Sequence, residues 1–303
     1  MSYRMRANLM MVGVNVFWGL SYVFMKMGLD SLESFNIIAL RCLLAFVIAG
    51  GFFYRRLLKA KLSTVLFSFL LGMMLFLVFS SVTFGVGMTS ASSAGFLVSL
   101  TVIFVPILHC LIIRKLPSLP ISLGVLFSLT GIGILTLKGS LSINTGDALC
   151  IGTALCYAVH ILLTGKLTKG EDSITLGVLQ LGFAGGIALL FSLIFEDPSL
   201  PSTGESWIAI LGLGIFCSAV GFICQAVAQR YTTPTHTSLI FATEPIFAAL
   251  FAVLFLNEVF TLRDAAGAFI IICGILIAQM NSLSFNKKGG VYRRRLRKRE
   301  SSL

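Results

Sequence analysis

The sequence predicts an all-α integral membrane protein of ten transmembrane helices, arranged as two inverted five-helix repeats. Three observations carry this expectation. The chain is 57% hydrophobic and only 12% charged over 303 residues, with a mean hydropathy of +0.97; a soluble domain carries about twice that charge. The apolar residues fall in continuous runs of about 20, the length of a helix that crosses a bilayer and unlike the short alternating segments of a barrel. The text also duplicates. Thr89–Leu137 lies under Thr232–Met280 at an offset of 143 without a gap, matching Thr89/Thr232, Ile103/Ile246, Phe104/Phe247, Leu111/Leu254, Gly124/Gly267, Gly131/Gly274 and Ile132/Ile275. The paired glycines carry most of this match, because each lets a helix approach a neighbour closely. At an offset of 139, Gly13–Phe24 sits over Gly152–Leu163, and Leu40–Phe46 over Leu179–Gly185. The halves are therefore 1–140 and 141–285, followed by a basic tail over 286–303.

The spans follow in order. Arg4 and Arg6 open the chain, and the apolar run after them is too long for a signal peptide and lacks a small-residue cleavage site, so it is span 1, about Asn8 to Met27. Asp30 and Glu33 close it. Span 2 covers about Phe35 to Tyr54, and Arg55, Arg56, Lys59 and Lys61 follow. Span 3 runs from about Ser63 to Gly85 and span 4 from about Ser92 to Ile113. Arg114, Lys115, Pro117 and Pro120 lead into span 5, about Leu119 to Leu137. In the second half, span 6 is about Gly146 to Gly165 and span 7 about Ile174 to Phe195. The acidic, proline-containing stretch after Phe195 reads as an exposed turn. Span 8 is about Ser206 to Ala228, span 9 about Thr237 to Leu256 and span 10 about Asp264 to Met280.

Charge placement orients these spans. With the N-terminus inside, the inner loops and termini hold Arg4, Arg6, Arg55, Arg56, Lys59, Lys61, Arg114, Lys115, Lys166, Lys169, Arg230 and the basic residues of the tail, whereas Lys26, Lys138 and Arg263 stand alone among eight carboxylates on the other side. This positive-inside pattern puts both termini in the cytoplasm. Five spans per half is an odd number, so the halves insert with opposite orientation, an arrangement of several transporter folds with the solute site between repeats. The net charge of +11 is then a topology signal rather than a nucleic-acid footprint. The seven cysteines include no CxxC pair and no Cys/His spacing suited to a metal, and nothing implies a cofactor. Motifs for zinc hydrolysis, phosphate binding or a serine nucleophile are missing. The alternative reading, an integral-membrane enzyme or a non-transporting membrane subunit, would need a nucleophile–base pair on facing helices, and spacing shows none.

Several intramembrane residues are candidates for a substrate site. Glu244, followed by Pro245, falls about eight residues into span 9, roughly 12 Å deep at 1.5 Å per residue. Proline removes a helix hydrogen bond, and an intramembrane carboxylate is a functional-site hypothesis by default. Arg41 either snorkels to the surface or faces the cavity and holds an anionic group by a bidentate contact; its counterpart is Gln180. Asn15, Trp18 and Tyr22 share one face of span 1, where they line a cavity or pack the bundle. Their second-half equivalents are Ala154, Tyr157 and Ile161, with His160 next door, which is a proton relay or ligand contact or else a satisfied buried imidazole. Glu244 serves as a titrating or polar anchor, or is a structural carboxyl bonded to its neighbours.

These residues also carry a resemblance. Phe17–Lys26 (FWGLSYVFMK), Leu40–Phe46 (LRCLLAF), Ser92–Pro106, Ala154–Leu167 and Ala242–Thr261 (ATEPIFAALFAVLFLNEVFT) resemble, in order and in both halves, the EamA-type transporters of the drug/metabolite transporter superfamily. In the first half Val102 stands where proline is usual and Lys115 where glutamate is usual. The resemblance implies a bacterial plasma-membrane carrier for a small metabolite, such as an amino acid or similar compound, commonly by export. Its partners would be that solute, the lipid bilayer and possible coupling protons, with no nucleic acid and no cofactor.

Overall fold

A computed structural model describes residues 3–114, 119–136, 144–274 and 276–277. The described residues are helical or in connections, and none is in a strand. Residues 115–118, 137–143, 275 and 278–303 lie outside them, and with these the expected ends of span 5 at Leu137 and span 10 at Met280 and the basic tail over 286–303.

Seven helical runs are long and apolar enough to cross a membrane: Met5–Leu29, Ser34–Phe52, Leu62–Met88, Ala91–Ile112, Thr145–Leu167, Ser173–Phe195 and Gly204–Gln229. Apolar helices also occupy Ser122–Gly131 and Glu244–Leu256. The protein is thus a multi-pass membrane protein, as its composition predicts. The elements are α1 (Tyr3–Leu29), α2 (Ser34–Phe52), the short α3 (Tyr54–Leu57), α4 (Leu62–Met88), α5 (Ala91–Val98), α6 (Thr101–Ile112), α7 (Leu119–Thr136), α8 (Thr145–Leu167) and α9 (Ser173–Phe195). They continue as α10 (Gly204–Leu211), a π-helical stretch (Gly212–Val220), α11 (Gly221–Gln229), α12 (Pro234–Phe241) and α13 (Glu244–Leu256). A last helix, α14, begins at residue 262.

Starts are set by local chemistry. Asn144 and Asp172 accept from the backbone amides of Asp147 and Thr175 to cap α8 and α9, and Thr203 with Ser206 forms a capping box on α10. Lipid-soaked helices gain little from burying apolar groups against each other, so small residues decide where they touch. A Cβ at Gly131 of α7 would stand 2.7 Å from the Gly267 carbonyl of α14, so these two helices cross at the glycines that the duplicated text picked out.

Two expectations about continuity are corrected. Span 4 is not one helix: it turns at Ser99 and Leu100, between α5 and α6. Span 9 turns at Ala242 and Thr243, between α12 and α13. Glu244 is therefore not deep inside a continuous helix but in the first turn of α13, with Pro245 at its start, where proline's missing N–H costs nothing. The offset of 143 places Ser99 over Ala242 and Leu100 over Thr243, so the breaks coincide although only one is followed by proline. Each break is pinned by the first long helix of the other half. Asn15 Nδ2 on α1 donates to the Ile240 carbonyl at 2.7 Å and to Thr243 Oγ1 at 2.8 Å. Thr101 Oγ1, beside the earlier break, donates to the Val98 carbonyl at 2.7 Å and to the carbonyl of Ala154 on α8 at 3.2 Å. Ala154 is the counterpart of Asn15. In this way carbonyls at both breaks, Ile240 and Val98, gain a side-chain donor.

Both ends of the bundle are fastened between halves. At the end that bears the α1–α2 connection, the Glu196 carboxylate accepts from the amides of Phe35 and Asn36 at 2.8 Å each, at the start of α2. Glu258 accepts from the amides of Ala91 at 2.7 Å and Ser92 at 3.2 Å, at the start of α5, and Thr89 Oγ1 donates to Asp147 at 2.8 Å. At the opposite end Arg56 pairs with Asp172 at 3.2 Å, and the hydroxyls of Ser63 and Thr64 donate to Glu171.

Candidate functional site

The fold leaves an internal cavity of about 50 Å³ near the middle of the bundle, with Trp18, Tyr22, Arg41, Phe79, Tyr157 and Glu244 in its wall. By this measure a water needs about 10–15 Å³, so the cavity has room for a few waters and is closed to anything the size of an amino acid.

Four helices supply its polar groups. Tyr22 on α1 donates its hydroxyl to Glu244 Oε1 at 2.7 Å; Glu244 is 8% exposed. Trp18, one turn earlier, donates its indole N–H to the Cys217 carbonyl at 2.9 Å. That carbonyl belongs to the π-helical stretch, whose wider turn leaves groups outside the α-helical bonding pattern. Gly221 makes room for the indole, since a Cβ there would lie 2.6 Å from Trp18 Nε1. The next residue of the same stretch, Ser218, receives Arg41 Nε at 3.0 Å. The Arg41 guanidinium lies 4.3 Å from the centre of the Phe79 ring, a cation–π contact.

Arg41 therefore faces the cavity and does not snorkel: the residue is 2% exposed. Its terminal nitrogens make no hydrogen bond to a described residue, and it forms no ion pair with Glu244. The protein thus keeps one guanidinium and one carboxyl in the wall of the same cavity without letting them pair. The rings of Tyr157, Phe222 and Phe241 surround Trp18 at 6.0, 5.2 and 5.0 Å between centroids, which fixes the indole.

The eight residues expected from the sequence separate into groups. Trp18, Tyr22, Arg41, Tyr157 and Glu244 line the cavity. Asn15 holds the break before Glu244 and so positions it. His160 and Gln180 pair with each other, with His160 Nε2 and Gln180 Oε1 2.9 Å apart, and belong to the wall between α8 and α9 beyond the cavity. Sequence reasoning missed Ser218, the Cys217 carbonyl and Phe79. A single serine in an apolar run carries little signal, but three glycines in ten residues (Gly212, Gly214, Gly221) mark a helix with unusually close neighbours.

A bundle of membrane-crossing helices, two of them broken beside a buried polar cavity, is the architecture of a membrane transporter. The model of the EamA-like transporter family matches residues 5–137 and again 144–280, and the chain belongs to that family. An uncharacterized transporter of Archaeoglobus fulgidus is 27% identical over 277 residues, covering 91% of this chain and 87% of the relative. The uncharacterized transporter YoaV of Bacillus subtilis is 22% identical over 287 residues, covering 91% and 97%. A crystal structure of a protein superposes with a TM-score of 0.71 at 15% identity, over 93% of this chain and 99% of that one, which is a likeness of fold.

Proposed function

We propose that the protein is a secondary carrier that moves a small zwitterionic metabolite, an amino acid or similar compound, by alternating access. The observation that carries this reading is the pair of separated, opposite polar anchors in one narrow cavity. Arg41, held from behind by Ser218 and Phe79, presents its donor fork to a carboxylate. Glu244, held by Tyr22, takes the ammonium end or exchanges a proton for it. The aromatic wall around Trp18 accepts the aliphatic part.

The architecture proposed is ten spans in two inverted repeats, 1–140 and 141–285. The coincident breaks, their reciprocal pinning by Asn15 and by Ala154, and the two successive family matches support it. Loop charges favour both termini and the 286–303 tail in the cytoplasm, and a bacterial plasma membrane and export follow the family resemblance. Protons are the proposed coupling ion, and lipid is the surrounding partner.

The test is solute counterflow in proteoliposomes, screened over amino acids, nucleosides, sugars and cationic dyes. Amino acids are expected to exchange, with exchange lost in Arg41→Leu and in Glu244→Gln. Exchange of only uncharged solutes, indifferent to Arg41, overturns the assignment.

A further inference from the structure

From Tyr157 in the cavity wall, the second half continues into a line of buried side chains with unsatisfied polar atoms. On α8, Tyr157, His160 and Thr164 share one face. The Tyr157 hydroxyl and the Gln225 side chain on α11 interact with each other outside strict hydrogen-bond geometry, and His160 Nδ1 and the Thr164 hydroxyl make no hydrogen bond. Gln229, one turn on, donates Nε2 to the Ile161 carbonyl of α8 at 3.1 Å but leaves its oxygen unpartnered. None of these five is more than 5% exposed. Proteins rarely tolerate one such group, because each costs about 1–3 kcal/mol. Here they lie together, on helices that lead from the cavity to the end of the bundle with the α8–α9 connection.

The duplication explains the cluster. The offset of 139 carries the cavity residues Trp18, Ser21, Met25 and Arg41 onto Tyr157, His160, Thr164 and Gln180. The offset of 143, continued back through α4, carries Phe79 onto Phe222 and Val82, also in the wall, onto Gln225. The line is thus the counterpart, in the second repeat, of the wall that the first repeat presents to the cavity. In the first repeat that wall bounds the cavity; in the second, Tyr157 and Phe222 reach the same cavity and the remaining members are buried.

We infer that Tyr157, His160, Thr164, Gln180, Gln225 and Gln229 form a second, now collapsed chamber, which opens and hydrates towards the α8–α9 end when the carrier changes face. The inference rests on the transport reading above and deepens it by naming the route that opens at the α8–α9 end. In inverted-repeat carriers the two faces arise by exchange of the repeats' conformations, so the residues equivalent to the present cavity wall become the wall of the next one. The unpartnered atoms hold the closed form at a cost that opening relieves, which keeps the two states close in free energy.

The test uses the full chain in nanodiscs with N-ethylmaleimide as the probe, read site by site by mass spectrometry so that Thr164→Cys is resolved from the native cysteines. Thr164→Cys is expected to label, and Gln225→Leu in the same chain to slow that labelling about tenfold by favouring the dry, closed form. Gln225→Leu alone is expected to melt a few degrees higher than wild type. Thr164→Cys that stays unlabelled, or Gln225→Leu that melts lower, overturns the inference. Neither readout needs a solute, so this result is separate from counterflow, where loss of the Arg41 and Glu244 effects would instead remove the transport assignment.

Discussion

The Tyr22 hydroxyl and the Glu244 carboxylate, 222 residues apart in sequence, meet at 2.7 Å where α1 crosses the start of α13. Glu244 stands in the first turn of its half-helix, and the chain break before it is fixed by Asn15 from the same face of α1 that carries Tyr22. One helix of the first half therefore sets both the place and the partner of the carboxyl in the second. Tyr22→Phe keeps the ring and removes the donor. A buried acceptor left unpaired costs about 1–3 kcal/mol, so the variant melts several degrees lower by differential scanning fluorimetry, and Tyr22→Phe/Glu244→Gln recovers less than the sum of the single losses.

Arg41 separates stability from binding. Its charge is buried against an aromatic face and one hydroxyl, and replacing such a charge by an apolar side chain is often neutral or stabilising. Arg41→Leu is expected to melt no lower than wild type while binding of a carboxylate-bearing solute, measured by titration calorimetry, falls at least tenfold, about 1.4 kcal/mol. Arg41→Lys is expected to lose binding too, because an ammonium cannot reach Ser218 and a ligand with one planar fork.

Gly221→Ala tests the π-helical stretch as the seat of Trp18. The new Cβ would fall 2.6 Å from the indole nitrogen, so the ring has to move and its bond to the Cys217 carbonyl is lost. Tryptophan emission in a Trp207→Phe background reports this site alone, and a shift to longer wavelength with a lower melting temperature is the expected result.

The loop between α8 and α9 supplies a pH dependence. Hydrogen bonds from Thr64, then from Ser63, hold the Glu171 carboxyl below its ordinary value, with Lys61 adding to them and partial desolvation opposing. A carboxyl whose folded value is depressed contributes stability above its unfolded value, near pH 4.3, and loses it as pH falls through the folded value. The melting temperature of the wild type should therefore drop more steeply on acidification below about pH 4.3 than that of Glu171→Gln, and equal slopes would show that the bonds carry no such linkage.

Much of this was readable from residue order. Run length and charge located the membrane-crossing helices, because the bilayer leaves few alternatives. The duplication located Gly131 at a helix crossing and set Arg41 over Gln180. The break at Ser99 and Leu100 was not readable, because no proline or glycine stands in those two positions and Thr101 supports the turn only through a carbonyl of a distant helix. Glu244 was recognisable as a costly residue, but its partner was not, since helical periodicity fixes which face Tyr22 occupies and not what that face meets. The choice between snorkelling and cavity for Arg41 turned on Ser218 and Phe79, both set by packing between helices far apart in sequence.

The fastenings at the two ends of the bundle have different physics. Arg56 and Asp172 are 54% and 39% exposed, so their attraction acts through water and fades as ionic strength rises. Glu196 and Glu258 rest on the first amides of α2 and α5, short directed bonds that dissolved ions compete with poorly. Electrolyte concentration thus weakens the ion pair at one end, where the Ser63 and Thr64 bonds to Glu171 remain beside it, and spares the amide bonds at the other.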